Sequence, residues 1–160
     1  MKKVDTQEYM SVLRSLTEQG HSVSVLVAGG SMSPFLAGGR DTVFFSKPDS
    51  PLRRGDIVFY TRSSGQYVMH RIRRVRRDGL LDIIGDAQTE TETGVLPEQV
   101  FARADAVCRK GRQLRPGDFL WELFRGPWLL LVPFRHIIMK VYGFFKPGKP
   151  TEHFDEKHRK

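Results

Sequence analysis

The sequence predicts a mainly β protein, a small and partly closed antiparallel structure with a helix before it and a helical apolar segment after it. Three observations carry this. Apolar residues recur with period two in several short runs. Turn signals, Pro48-Asp49-Ser50-Pro51, Ser63-Ser64-Gly65 and Asp78-Gly79, separate those runs. The intervals are too short for the helical crossovers that a parallel sheet needs.

Taken in order, residues 5–19 read as a helix. Asp5 with Glu8 makes a capping box of the Asp type, Tyr9, Val12, Leu13 and Leu16 recur at helical spacing, and Gly20 ends the run. From His21 the period changes to two, with Val23, Val25 and Val27 on one face and Ser22, Ser24 and Leu26 on the other. Further strands are expected at 42–47, 56–61, 66–75, 80–84 and 100–109. Arg73-Arg74 and Arg76-Arg77 cannot all point outward under strict alternation, so a bulge is expected near 73–74.

With 160 residues the chain has room for one ordinary domain and an appendage, and 39% hydrophobic with 28% charged residues is the balance of a folded chain rather than a disordered one. Cys108, the single cysteine, excludes a disulfide within the chain. The net charge of +8 leaves acidic peptides, anionic lipid and nucleic acid open as partners. Met1-Lys2-Lys3 leads into polar residues, not the apolar core of a signal peptide.

Chemistry is expected at Ala28-Gly29-Gly30-Ser31-Met32-Ser33-Pro34-Phe35-Leu36. Two glycines permit positive φ and close approach of another chain, Pro34 fixes the exit, and Ser31 is presented on the bend. A serine needs a neighbouring base to become a nucleophile. His70, in a strand-like run, and Asp86, at the end of another, are the candidates in chain order.

Gly-Ser-Met-x-Pro at 30–34, Gly-Asp-Ile-Val at 55–58, His-Arg-Ile at 70–72 and Gly-Asp at 85–86 together resemble the S24/S26 serine peptidase superfamily, which contains the signal peptidases I and the LexA-type self-cleaving repressors. The match spans roughly residues 22–110, and His70 at the base position resembles the histidine branch of signal peptidases. The resemblance implies a β-clip catalytic fold over residues 21–115, flanked by the helix at 1–20. It implies a serine endopeptidase cleaving signal or leader peptides with small residues at the −1 and −3 positions, without metal or cofactor. Ser31 would be the nucleophile, His70 the base and Asp86 its orienting acid, with Gly29, Gly30 and Met32 around the oxyanion. Ser33, at the variable position of the motif, is the rival nucleophile. Glu92 stands where the histidine branch has a second acid, so Asp86 and Glu92 both remain candidates for the third role. Gly29 replaces the serine whose hydroxyl usually helps bind the oxyanion, and the usual N-terminal anchor has no counterpart in this sequence.

Residues 116–146 are rich in aromatic and aliphatic side chains, but the longest uncharged piece, 126–134, is too short to cross a bilayer about 30 Å thick. Mixed with Arg135, Lys140 and Lys146, it suits a segment lying in the membrane interface, which would make the protein membrane-associated. The other reading is a helical hairpin packed on the β domain. Residues 147–160 read as a polar tail. The arginine run after His70 either binds phosphate or an acidic peptide or is a solvated strand edge. A module that binds peptide or nucleic acid through that strand, with no catalysis, is the alternative function; the peptidase reading expects a peptide or preprotein and a membrane surface as partners, and no nucleic acid.

Overall fold

The computed structural model describes residues 6–145. The Asp5 capping box and the 147–160 tail lie outside the described residues. The architecture is mainly antiparallel β: eight strands, preceded by one helix and followed by a run of short helices. They are β1 (Val23–Leu26), β2 (Thr42–Ser46), β3 (Ile57–Thr61), β4 (Tyr67–Val75), β5 (Leu81–Ile84), β6 (Glu92–Val95), β7 (Val100–Arg109) and β8 (Arg112–Leu114). Sheet order is β1-β2-β7-β3-β4-β5-β6, with β8 paired on β7. The long β7 binds the halves because it pairs with both β2 and β3.

Six of the strands fall within two residues of their expected limits. The ladder slips between Ile72 and Arg74, so the arginine run does carry a bulge. β4 is not an edge there, because β5 pairs with it from Arg71 to Val75. Its first half is different: Tyr67–His70 pair with β3 alone. β6 and β8 were not anticipated, being short and almost without apolar residues.

Helix α1 runs from Thr6 to Glu18. Its buried face is Met10, Leu13 and Thr17, whereas Tyr9 and Val12 are exposed. The apolar stripe read from the sequence is therefore rotated: the helix crosses the sheet on a narrow line and leaves its first turn over an open groove.

The main core joins α1, β1, β2, β3 and β7 to Met32, Phe35 and Leu36 from the serine loop. Trp121, Phe124 and Trp128 complete it. These come from the C-terminal segment, which forms α2 (Phe119–Arg125), α3 (Pro127–Leu130), a 3₁₀ turn and α4 (Arg135–Phe145). Phe35 packs edge-on to Trp121 and against Phe124, at centroid distances of 6.0 and 4.8 Å. So the segment packs on the β domain through one face. Its other face, Phe119, Leu130, Phe134, Ile137, Val141, Phe144 and Phe145, remains exposed. Among the described residues no single helix is long and apolar enough to cross a membrane; two helical stretches, Phe119–Leu130 and Val132–Phe145, pass such a test only as a pair bent by 80°.

Candidate active site

The serine loop is held from below. Met32, Phe35 and Leu36 are buried, Leu36 N–H donates to the Met32 carbonyl, and Arg109 donates to the carbonyls of Phe35 and Pro34. Asp41 accepts from the backbone of Ala37 and Lys110 and so closes the far side. With three apolar side chains turned in, Ser31 is left at the surface of the bend. Gly29 sits at φ +72°, and the Cβ position of Gly38 is taken by the Gly29 backbone, which is why this turn needs glycines. Ser33 Oγ turns back to the Leu36 carbonyl and Ser33 lines neither groove described below, which favours Ser31.

Ser31 and His70 line one groove of about 530 Å³. Its walls are the Val25–Ala28 stretch, Val68 and Met69 of β4, Phe59, and Met10 with the first turn of α1. His70 also lines a second, polar groove of about 520 Å³ formed with Arg62 and residues 87–92. His70 is 5% exposed. Burial pulls its pKa down to about 4; Arg62 acts in the same direction, while Glu92 and Asp86 oppose it. The imidazole is therefore neutral across the physiological range, the state a general base requires.

The two acids are placed differently from the expectation. Both Asp86 oxygens accept from Arg71 at 2.8 Å, and neither residue of this pair has any side-chain exposure. Arg71 is thus no part of a basic surface; it also donates to the Gly55 carbonyl and stacks over Phe35. Glu92 accepts from Arg62 and from Tyr60 Oη, the latter at 2.6 Å. Burial pushes the Glu92 carboxyl up, but these two partners outweigh it and hold the group below the usual range. Among the described residues no hydrogen bond joins either acid to His70, so both act on it through space.

Two residues that the sequence did not place at the site connect it, and one of them, Arg135, which the sequence reading assigns to a lipid surface, is instead fully buried. The 85–88 loop meets the serine loop directly, because Ala87 N–H donates 2.8 Å to the Ser31 carbonyl. A Cβ on Gly85 would lie 2.7 Å from that carbonyl oxygen and 2.9 Å from Gln88 Oε1, so the two loops are in contact across a glycine. Gln88 lines both grooves. Behind it, the fully buried Arg135 donates to the carbonyls of Gly85, Gln88 and Trp128, and Trp128 Nε1 donates to the Asp86 carbonyl. Burial draws the Arg135 pKa down to about 10, with Asp86 offsetting part of the cost, and the guanidinium stays charged. Nothing in the sequence distinguishes Arg135 from a lipid-facing arginine; Gln88 carried a weak signal, standing two residues after Gly85-Asp86.

Compared with protein-family models, curated proteins and solved structures, the chain matches none of them. Among the described residues no group of three His, Cys, Asp or Glu side chains is placed to hold a metal ion.

The depressed His70 pKa sets a pH dependence for stability. An unfolded histidine titrates near 6.5 and the folded one at about 4, so between those values the unfolded chain binds the extra proton. The native state is at full advantage above about pH 6.5 and loses on the order of 3 kcal/mol as pH falls to about 4. Urea midpoints followed from pH 7.5 to 4.5 should fall less steeply in His70→Gln than in the native protein. Equal slopes would place His70 in solvent.

Proposed function

We propose that this chain is a serine endopeptidase of the signal-peptidase type, cleaving a signal or leader peptide at a membrane surface with Ser31 as nucleophile and His70 as base. The observation that carries the reading is that Ser31 and His70, distant in sequence, line one groove between two unpaired strand edges. Among the described residues β1 pairs only with β2, and the first half of β4 only with β3. An extended peptide laid between them can hydrogen-bond to either edge, and the Val25, Leu26, Val68 and Met69 lining suits apolar side chains. The antiparallel sheet and the order of the four motifs support the finer assignment to the partly closed barrel of the signal peptidase/LexA type.

In this mechanism Ser31 Oγ attacks the scissile carbonyl carbon as its proton passes to His70 Nδ1 or Nε2. The carbonyl electrons move to oxygen; collapse of that intermediate expels the amine, to which His70 returns the proton. Water then hydrolyses the acyl-serine by the same proton path. Asp86 and Glu92 stabilise the transient imidazolium through space, so the pair works as a dyad between two ion pairs.

The membrane part of the reading rests on the exposed apolar face of α3 and α4. From Leu123 to Phe145 the sequence has no acidic residue, while Arg125 and Lys140 add positive charge, which suits an anionic lipid surface.

The test is cleavage of a fluorogenic peptide with an apolar stretch followed by alanine at −3 and −1, in the presence of anionic vesicles. Ser31→Ala and His70→Ala should each lose activity by at least about 10³-fold, and charge reversal at Arg73 and Arg74 should leave it intact. Cleavage surviving either of the first two changes removes that residue from the mechanism. Loss of function through the arginines alone would favour the binding-module alternative.

A further inference from the structure

We infer that Gln88 is a catalytic residue of this site, its side-chain amide donating to the oxyanion in place of the hydroxyl that Gly29 lacks. The inference rests on the peptidase reading above and deepens it.

An acyl transfer at Ser31 places a negative charge on the former carbonyl oxygen, and donors aimed at that position are among the largest contributors to such catalysis. The serine loop offers backbone N–H groups for this role but no side-chain donor. Gly29 brings no side chain, and the hydroxyl of Ser33 is turned back on Leu36. Gln88 meets the three requirements for a replacement.

Its position is right, because it lines the same groove as Ser31 and His70 and its carboxamide lies against Gly85, as does the Ser31 carbonyl. Its orientation is fixed, because Gly85 N–H donates 3.0 Å to Oε1. A backbone N–H can only be answered by the amide oxygen, so that bond assigns the two ends of the carboxamide and leaves the Nε2 donors pointing away from Gly85. Among the described residues Nε2 has no acceptor. Its backbone is also held: Gln88 N–H donates to the Gly85 carbonyl, and Arg135 bonds both the Gly85 and Gln88 carbonyls from behind. A donor held at both ends and free at its tip loses little entropy when an oxyanion forms beside it. The same reasoning accounts for Gly85, whose missing side chain leaves room for both the Gln88 amide and the Ser31 carbonyl to lie against it.

The experiment uses the full chain with the fluorogenic peptide above and, separately, a peptidyl trifluoromethyl ketone. The ketone carbon accepts Ser31 Oγ to give a hemiketal, with the hydroxyl proton moving to His70 and the charge resting on the ketone oxygen. Gln88→Glu keeps an oxygen for Gly85 N–H and replaces the donors with an acceptor; Gln88→Met is the neutral analogue of similar length. Both should lower kcat by about 10²- to 10³-fold with KM within about twofold. Both should weaken the ketone by a similar factor, and thermal midpoints should stay near native. The inference is overturned if Gln88→Met retains kcat within about threefold of native, or if kcat falls while ketone affinity does not. A native chain that cleaves nothing overturns the peptidase reading itself, and this inference with it.

Discussion

Asp86→Asn and Arg71→Met, made one at a time, are expected to destabilise the protein by about 3–5 kcal/mol each. Both side chains are completely buried, and the bidentate contact at 2.8 Å is the main compensation for each charge, with the Gly55 carbonyl and the Phe35 ring adding to it for Arg71 and the nearby Arg135 for Asp86. Removing one partner leaves the other charged in a site sealed by Phe35 and Trp128, and that uncompensated desolvation sets the size of the loss. Replacing both at once, with methionine and leucine, should cost much less than the sum of the two, since no buried charge remains. Urea unfolding followed by tryptophan fluorescence measures all three; single variants within about 1 kcal/mol of native would mean that water reaches the pair. The prediction also bears on mechanism. An acid engaged in this way is needed to fold the site, so loss of activity in an Asp86 variant does not by itself make Asp86 a catalytic acid. Activity of the folded double variant separates the roles.

What could be read from the sequence follows the reach of local rules. Period-two alternation marks β1 and β2, short runs between turn signals mark β3 to β5 and β7, and the bulge at Arg73 follows from two adjacent arginines that cannot share one face. The serine loop and His70 could be picked out as candidates because a nucleophile, a base and a glycine bend would have fixed chemical requirements. Asp86 was legible as an important carboxylate, but not its partner: Arg71 looked like one more surface arginine in a run of five, and only the register of β4 against β5 turns it inward. Gln88 and Arg135 depend on contacts between segments 47 residues apart, about which composition is silent. The C-terminal segment was ambiguous for a similar reason, since an aromatic and aliphatic face reads alike whether it meets lipid or protein. Here one face is buried on the β domain and the other is bare.

That division makes the last prediction, and the largest effect. Truncation after Arg115 is expected to abolish folding rather than to release an intact domain from membranes. The removed segment buries Trp121, Phe124, Trp128, Leu129 and Val132, which at about 1.5–3 kcal/mol each amount to on the order of 10 kcal/mol. A whole domain is stable by only about 5–15 kcal/mol. The cut also takes away Arg135, which holds the Gly85–Gln88 loop, and uncovers Phe35 beneath the Ser31 loop. A cooperative thermal transition in the truncated chain would show that α2 to α4 are dispensable to the core. Membrane affinity needs a gentler variant that leaves the buried face alone. Phe134, Phe144 and Phe145 are all exposed, so replacing the three with serine should leave the fold intact. Flotation with anionic vesicles should then fall by at least about tenfold, because each large aromatic withdrawn from the interface forfeits a transfer energy of a kcal/mol or more. If the triple variant floats as well as the native chain, this face does not meet lipid.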